Sequence, residues 1–342
     1  MQEVNRKSLL RQLETVQAGL SSREIIEQTT CLAFDGGNVS TYNDEIACIQ
    51  KCDLSGITCV VQGQPLLQLL KRLPDDAVRI SISDSEFRVK GKKRESGIRT
   101  EASIKLPFDQ IEKPTDWRPL PKDFADAVFM ASQCVSKNQA KFSVTCVHIA
   151  KKWIEGCDNY QLARYKIKTG FAKPTLVRGQ AIKHIVSLDM TEISETKNWL
   201  HLRNKTGLRL SIRRYVDEYP DFTATAKTQG KTVTLPTGLS EVATTANIFA
   251  TDNIEPDRVF VTLDDGKAII RGEGPAGWYQ ETKKIDYRDD RLEFSIAVQL
   301  LHEITKRSNT CQISQTALKV QSEKLTYVTS VGKRNEPKDD EK

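Results

Sequence analysis

The sequence contains no apolar run near the ~20 residues that a membrane-spanning helix needs, so no helical anchor is expected. It contains no Cys-x-x-Cys pair. Its eight cysteines (Cys31, Cys48, Cys52, Cys59, Cys134, Cys146, Cys157, Cys311) sit inside apolar runs and outside zinc-finger spacing of any histidine. They read as buried free thiols of a reducing compartment, with no metal site. Histidine is scarce: His148, His184, His201 and His302 lie far apart, and none belongs to a Ser or Cys arrangement with an acid. No Walker-type phosphate loop occurs, and the aromatic residues, 7% of the chain, do not form a base-stacking platform. The opening Met-Gln-Glu-Val-Asn-Arg lacks the apolar segment of a secretion signal. These absences predict a cytoplasmic protein that is not an enzyme and carries no cofactor.

What is present is a repeat. The 342 residues, 38% hydrophobic and 28% charged, suit two or three domains with modest cores. A first helix is predicted over Asn5–Leu20, with Leu9, Leu13, Val16 and Leu20 on one face and Lys7 and Arg11 on the other. Strands follow to about 61, then a second helix over Gln64–Leu73 with Lys71 and Arg72 turned outward, then three more strands to Leu106. The order restarts at Leu120-Pro121 and again at Leu235-Pro236, 115 residues later. Second helices are expected to start near 65, 178 and 295. The exits Leu106-Pro107-Phe108-Asp109 and Tyr219-Pro220-Asp221-Phe222 are 113 apart. A period this long describes a domain. The expected fold class is therefore α+β, three modules of two helices on an antiparallel sheet: 1–117, 118–229 and 230–331, with a disordered charged tail at 332–342.

Charge is uneven along these modules. Residues 118–229 carry 19 Lys and Arg against 10 Asp and Glu; 1–117 carry 16 against 17, and 230–342 carry 16 against 18. Cations on helix faces (Lys7, Arg11, Lys71, Arg72, Arg178, Lys183) and in the loop Lys137–Lys141 point to a polyanion partner held through its phosphates. Two tempting motifs fail. Gly272-Glu-Gly-Pro-Ala-Gly277 spells a dinucleotide fingerprint, yet an alternating strand-like segment follows it instead of a helix, so it reads as a hairpin loop. Asp75-Asp76 and Asp264-Asp265 occupy turns. The run Cys146–Ile167 reads as two strands joined by a tight turn at Glu155-Gly156, the second strand carrying Cys157–Ala163.

The ordered set across the three repeats resembles the bacterial β-type DNA sliding clamp, the processivity subunit of the replicative polymerase. Its pieces are Ser8-Leu-Leu-Arg-Gln-Leu-Glu-Thr-Val-Gln17 with Ser21-Ser-Arg23, Ala33-Phe-Asp-Gly-Gly-Asn-Val-Ser-Thr-Tyr-Asn-Asp-Glu-Ile46, Leu66–Pro74, the 146–167 hairpin, and Arg213-Arg-Tyr-Val-Asp-Glu-Tyr-Pro-Asp-Phe222. The resemblance implies a head-to-tail homodimeric ring with helices lining a hole that holds duplex DNA without sequence readout. It implies DNA contacts at Arg23 and Gln139, joined by Lys71 and Arg178 and by the cations Lys7, Arg11, Arg72, Lys141 and Lys183. It also implies a pocket that takes short hydrophobic peptides of the polymerase and clamp loader, built from Val144, Cys157, Asp158, Asn159, Tyr160, Gln161, Leu162, Val328 and Ser330. Where the family has roughly Thr-Asp-Gly-His-Arg-Leu-Ala, this chain has Cys157-Asp-Asn-Tyr-Gln-Leu-Ala163, and it lacks the family's Met-Pro-Met-like end. These departures fit a divergent clamp, such as one carried by a bacteriophage with its own polymerase. The alternative is a monomeric multi-module nucleic-acid-binding scaffold without ring closure.

Overall fold

The computed structural model describes residues 1–158, 160–250 and 257–331. The tail expected at 332–342 and the pocket candidate Asn159 lie outside them. The described chain forms two compact units. One joins Met1–Lys122 to Gln180–Val216; the other joins Asp123–Gly179 to the described residues from Asp217 on. Both are α+β, with antiparallel sheets and few, short helices.

In the first unit, strand Gln2–Asn5 pairs with Ala77–Ser83, which continues through Glu86–Lys90 to Glu95–Glu101. The end of that strand meets Cys59–Gln62, and pairing runs on through Cys31–Asp35, Asn38–Tyr42 and Ile46–Lys51. Ile46–Lys51 then pairs with Arg209–Tyr215, whose neighbours are Trp199–Arg203 and Glu192–Glu195. Helices Arg6–Thr15 and Gly63–Arg72 pack on each other, and Leu9, Leu13, Leu66 and Leu70 on them are buried. The Asn5 side chain caps the first helix, accepting from Ser8 N at 2.9 Å. Buried Arg6 donates to the carbonyls of Leu70 and Asp75 (2.7 and 2.8 Å), satisfying acceptors at the end of the second helix. The first helix ends five residues short of the expected Leu20, giving way to a 3-10 turn at Gln17–Gly19.

His201 is fully buried between two hydroxyls: Nδ1 meets Ser211 Oγ at 2.8 Å and Nε2 meets Thr196 Oγ1 at 3.0 Å. Burial first, then the charge of Arg209, lowers its pKa from near 6.5 to about 4. The unfolded chain takes up this proton below pH 6.5 and the folded chain does not until about pH 4. Stability is therefore expected to fall across that window, by ~3 kcal/mol at its acid end. Urea midpoints at pH 7 and pH 4.5 for wild type and His201→Gln check this: the variant's midpoint should move less with pH.

In the second unit, the sheet runs Thr175–Arg178, Cys146–Ile149, Trp153–Cys157, Gln161–Lys166, Leu325–Ser330, Ala317–Gln321, Thr310–Ile313 and Lys231–Thr234. A separate four-stranded sheet orders Gly277–Lys284, Lys267–Gly274, Arg258–Asp264 and Leu292–Ala297. Its longer helices, among the described residues, are Phe124–Ser132, Leu239–Ala246 and Val298–Arg307, with a single turn at Thr223–Ala226. All eight cysteines of the chain are buried and unbridged.

The hairpin expected over 146–167 is corrected to three strands. Glu155-Gly156 lies inside the middle strand and is no turn. Gly156 is there because a Cβ would sit 2.1 Å from the carbonyl oxygen of Ala131, at the end of helix Phe124–Ser132. The chain reverses instead between strands Trp153–Cys157 and Gln161–Lys166, where Asp158 Oδ1 accepts from the backbone N–H of Tyr160 and of Gln161, both at 2.7 Å. Gly272 repeats the packing role: it lies in strand Lys267–Gly274, and a Cβ would fall 1.9 Å from Ala246 O. The glycine pattern dismissed as a dinucleotide loop is thus part packing contact and part hairpin. A helix expected from Arg178 is also corrected. Arg178 ends a strand, and only Gly179–Ile182 is α-helical before a 3-10 turn at Lys183–Ser187.

Candidate functional site

Eight of the nine residues expected to form the peptide pocket are described, and all eight line one cleft of about 400 Å3 in the second unit. They are Val144, Cys157, Asp158, Tyr160, Gln161, Leu162, Val328 and Ser330. Strand pairing explains why residues 166 apart meet: Leu162 is directly opposite Val328. Leu162, Val328, Cys157 and Ala317 form one buried apolar cluster, with Phe222 and Ala226 packed against it. The rim is polar, from Lys141, Tyr160, Thr225, Thr228, Thr316 and Ser330. An apolar floor with a polar rim and this volume suits a short apolar ligand whose backbone meets the rim.

The polar members are mostly committed to the protein itself. Both carboxylate oxygens of Asp158 hold the turn, Oδ2 accepting from Gln161 Nε2 at 3.1 Å. Burial raises the Asp158 pKa against these bonds. Gln161 is buried and accepts from Tyr327 Oη at 3.2 Å. Tyr160 O accepts from Ser330 N at 2.7 Å while its side chain stands 70% exposed at the mouth. Burial pushes the Cys157 thiol pKa well up, which keeps it protonated and apolar on the floor. Val144 enters from a 3-10 turn, Phe142–Thr145.

Sequence reasoning missed Pro220, Phe222, Thr225, Thr228, Thr316 and Ala317. The signal for Phe222 was available, since the exit motif that carries it repeats Leu106–Asp109. The segment bearing it is fixed by a buried network. Glu155 Oε1 takes His148 Nδ1 at 2.9 Å and Trp153 Nε1 at 3.2 Å; Oε2 takes Arg164 Nε at 2.6 Å. The His148 ring lies 4.4 Å from Tyr219, and Tyr219 meets Phe222 edge-on at 5.7 Å.

The first unit contains the same strand arrangement with different side chains. There Tyr42 is opposite Ala47, Ala47 opposite Ser211, and Trp199 opposite Arg213. In the second unit the matching steps are Cys157 to Leu162, Leu162 to Val328, and Ala317 to Ser330. Tyr42, Ala47 and Trp199 form a filled cluster against which Phe108 packs, and Arg213 lies over Trp199 at 4.8 Å. Large side chains close this place in one unit; small ones leave it open in the other.

The nucleic-acid candidates divide between the units. Lys7, Arg11, Arg23, Lys71, Arg72 and Lys183 are exposed in the first. Lys7 is 3.7 Å from Asp76 and Lys71 is 3.0 Å from Glu14, exposed pairs of the kind that exchange readily for phosphate. Lys183 donates to Gln180 Oε1. In the second unit Gln139 and Lys141 are exposed, whereas Arg178 is half-buried, its guanidinium 5.3 Å over Phe142 and 3.3 Å from Thr145 Oγ1.

No protein-family model matches this chain, and no curated protein matches it by sequence. Solved structures do match. The DNA polymerase III beta chain of Streptococcus pneumoniae aligns with a TM-score of 0.71 at 15% identity, over 97% of this chain and 99% of its own. The beta subunit from Thermotoga maritima gives 0.72 at 12%, over 97% and 98%. The DNA polymerase sliding clamp of Bacillus subtilis gives 0.69 at 15%, over 97% and 98%. Over 97% of its length, this chain has the fold of the DNA polymerase III beta sliding clamps.

Proposed function

We propose that this protein is a DNA sliding clamp, a non-enzymatic processivity factor of the cytoplasm. Two copies close head to tail into a ring around duplex DNA, and the cleft holds a short apolar peptide of the polymerase and of the loader. The observation that carries the reading is the clamp fold matched over 97% of the chain. The three sequence repeats, 1–117, 118–229 and 230–331, are its modules.

Sheet edges support ring closure. Among the described residues, strand Glu95–Glu101 has a second neighbour only at Thr100 and Glu101, and strand Gly277–Lys284 pairs on one side alone. Edges of this length are hazards unless something pairs with them, and a second copy does so in a heterologous interface. Lys7, Arg11, Arg23, Lys71, Arg72, Lys183, Gln139, Lys141 and Arg178 then centre the duplex through scattered phosphate contacts, which allow sliding. Tethering holds a partner near its primer end at high effective concentration.

A topological clamp threads onto linear duplex and is trapped when both ends are blocked. Retention at high salt is expected only on end-blocked DNA, with the free protein sedimenting as a dimer. Equal loss from blocked and open DNA, with a monomer in solution, would instead establish the scaffold reading.

A further inference from the structure

Five lysines gather at the end of the second unit's sheet, beyond the strand that floors the cleft. Lys151 and Lys152 form the turn between Cys146–Ile149 and Trp153–Cys157, Lys166 ends strand Gln161–Lys166, and Lys168 and Lys173 lie on the loop after it. All five are exposed. The backbone fastens them together: Ile167 N donates to Lys152 O at 3.0 Å and Thr169 N to Lys151 O at 3.2 Å. Thr169 Oγ1 adds a bond to Ala150 O at 2.8 Å, and Trp153 is directly opposite Lys166. Lys173 stands two residues before Thr175, which pairs with Ile149. Among the described residues none of the five makes an ion pair. Lys324, whose carbonyl accepts from Lys166 N at 2.7 Å, is itself held by Asp123 at 2.6 Å.

A cluster that the fold holds together against its own repulsion attracts a multivalent anion. The surroundings choose between anions. Phe171 is buried, and half-buried Trp153 is covered by the Arg164 guanidinium at 4.9 Å, so neither offers an open ring face on which bases could stack. Position favours a protein. Leu162, Arg164 and Lys166 alternate onto one face of the same strand. Leu162 floors the cleft, and Lys166 is about 13 Å further along at ~3.3 Å per residue. An extended peptide crosses that distance in about four residues.

We propose that the lysine cluster is the docking surface for an acidic segment of the partner whose apolar residues occupy the cleft. This rests on the cleft being a peptide site. The acidic residues begin about four positions from the apolar anchor, on one side of it. Their contact speeds association and weakens with salt.

Fluorescence anisotropy on the full chain tests this with four probes. They are an apolar Ala-Leu-Leu-Phe-Leu anchor, octaglutamate, and the anchor joined by a four-residue Gly-Ser spacer to four glutamates at either end. Glutamine versions serve as controls. At low salt one joined peptide is expected to bind roughly tenfold more tightly than its glutamine control, from four pairs of the exposed kind. That advantage should vanish in the K151Q/K152Q/K166Q/K168Q/K173Q variant, which leaves anchor binding unchanged, and shrink at high salt. Octaglutamate should depend on the same lysines. Equal binding of glutamate and glutamine peptides overturns the proposal. So does an advantage that survives in the variant, or a single-stranded oligonucleotide of equal charge that outcompetes octaglutamate for the lysines. If the anchor alone does not bind while octaglutamate does, the cleft reading has failed and the lysine cluster stands apart from it.

Discussion

Replacing Ala317 with tryptophan should close the cleft, weakening binding of an apolar peptide at least about a hundredfold while the chain stays folded. The first unit already contains the closed version. Trp199 stands at the strand position that Ala317 takes in the second unit, and with Tyr42 and Ala47 it fills the corresponding space. An indole added at 317 has an open cleft of about 400 Å3 to enter, so it covers Leu162 and Val328 without displacing backbone. Burying that ring is favourable in itself. Anisotropy with a labelled apolar peptide measures the loss, and the melting temperature verifies folding. Peptide affinity unchanged in a folded Ala317→Trp variant would remove the cleft from the binding account. The reverse change, Trp199→Ala, empties a buried cluster and is expected to cost ~3–5 kcal/mol.

Gly156→Ala and Gly272→Ala should each destabilise the chain by ~3 kcal/mol, the upper end for overpacking. The added carbon meets a backbone carbonyl in both cases, at 2.1 Å for Ala131 and 1.9 Å for Ala246, so no side-chain rotation relieves it. Either the helix end lifts or the strand bends. The first unit handles the same place differently: buried Thr41 donates its hydroxyl to Val16 O at 2.6 Å. Val16, Ala131 and Ala246 are spaced 115 residues apart, as the repeat requires. Gly56→Ala is the control, because its added carbon meets nothing within 4 Å. Thermal melts should show the two packing glycines losing ~6–12 °C at ~2–4 °C per kcal/mol, with Gly56→Ala near wild type. A loss below 2 °C at both Gly156 and Gly272 would refute the close helix–strand contact.

How much of this was legible in the sequence follows from which signals are local. The period, the amphipathic second helices expected over Gln64–Leu73 and from near 295, and the balance of charge are counted along the chain, and the structure has helices at Gly63–Arg72 and Val298–Arg307. The cleft residues were reached through resemblance, and eight of them meet because Leu162 and Val328 face each other across a register that no local pattern encodes. What misled was glycine. Gly156 carries the ordinary mark of a turn, yet its reason for being there is a carbonyl 25 residues earlier in the sequence. Asp158 does the turn's work through its side chain, and an Asp-Asn-Tyr run flanked by apolar residues resembles a strand edge when read alone. Ala317 escaped notice because a small residue marks a cleft only by comparison with the tryptophan at the matching strand position.

The pairing of Ile46–Lys51 with Arg209–Tyr215 bears on how the protein comes apart. The repeat in the sequence is not the cooperative unit of unfolding. Freeing strand Arg209–Tyr215 strips hydrogen bonds from a strand more than 150 residues earlier, so the two segments open together or not at all. Gln161–Lys166 and Leu325–Ser330 are bound in the same way. The floor of the cleft is consequently among the last places to gain hydrogen exchange, although the cleft itself is open to solvent.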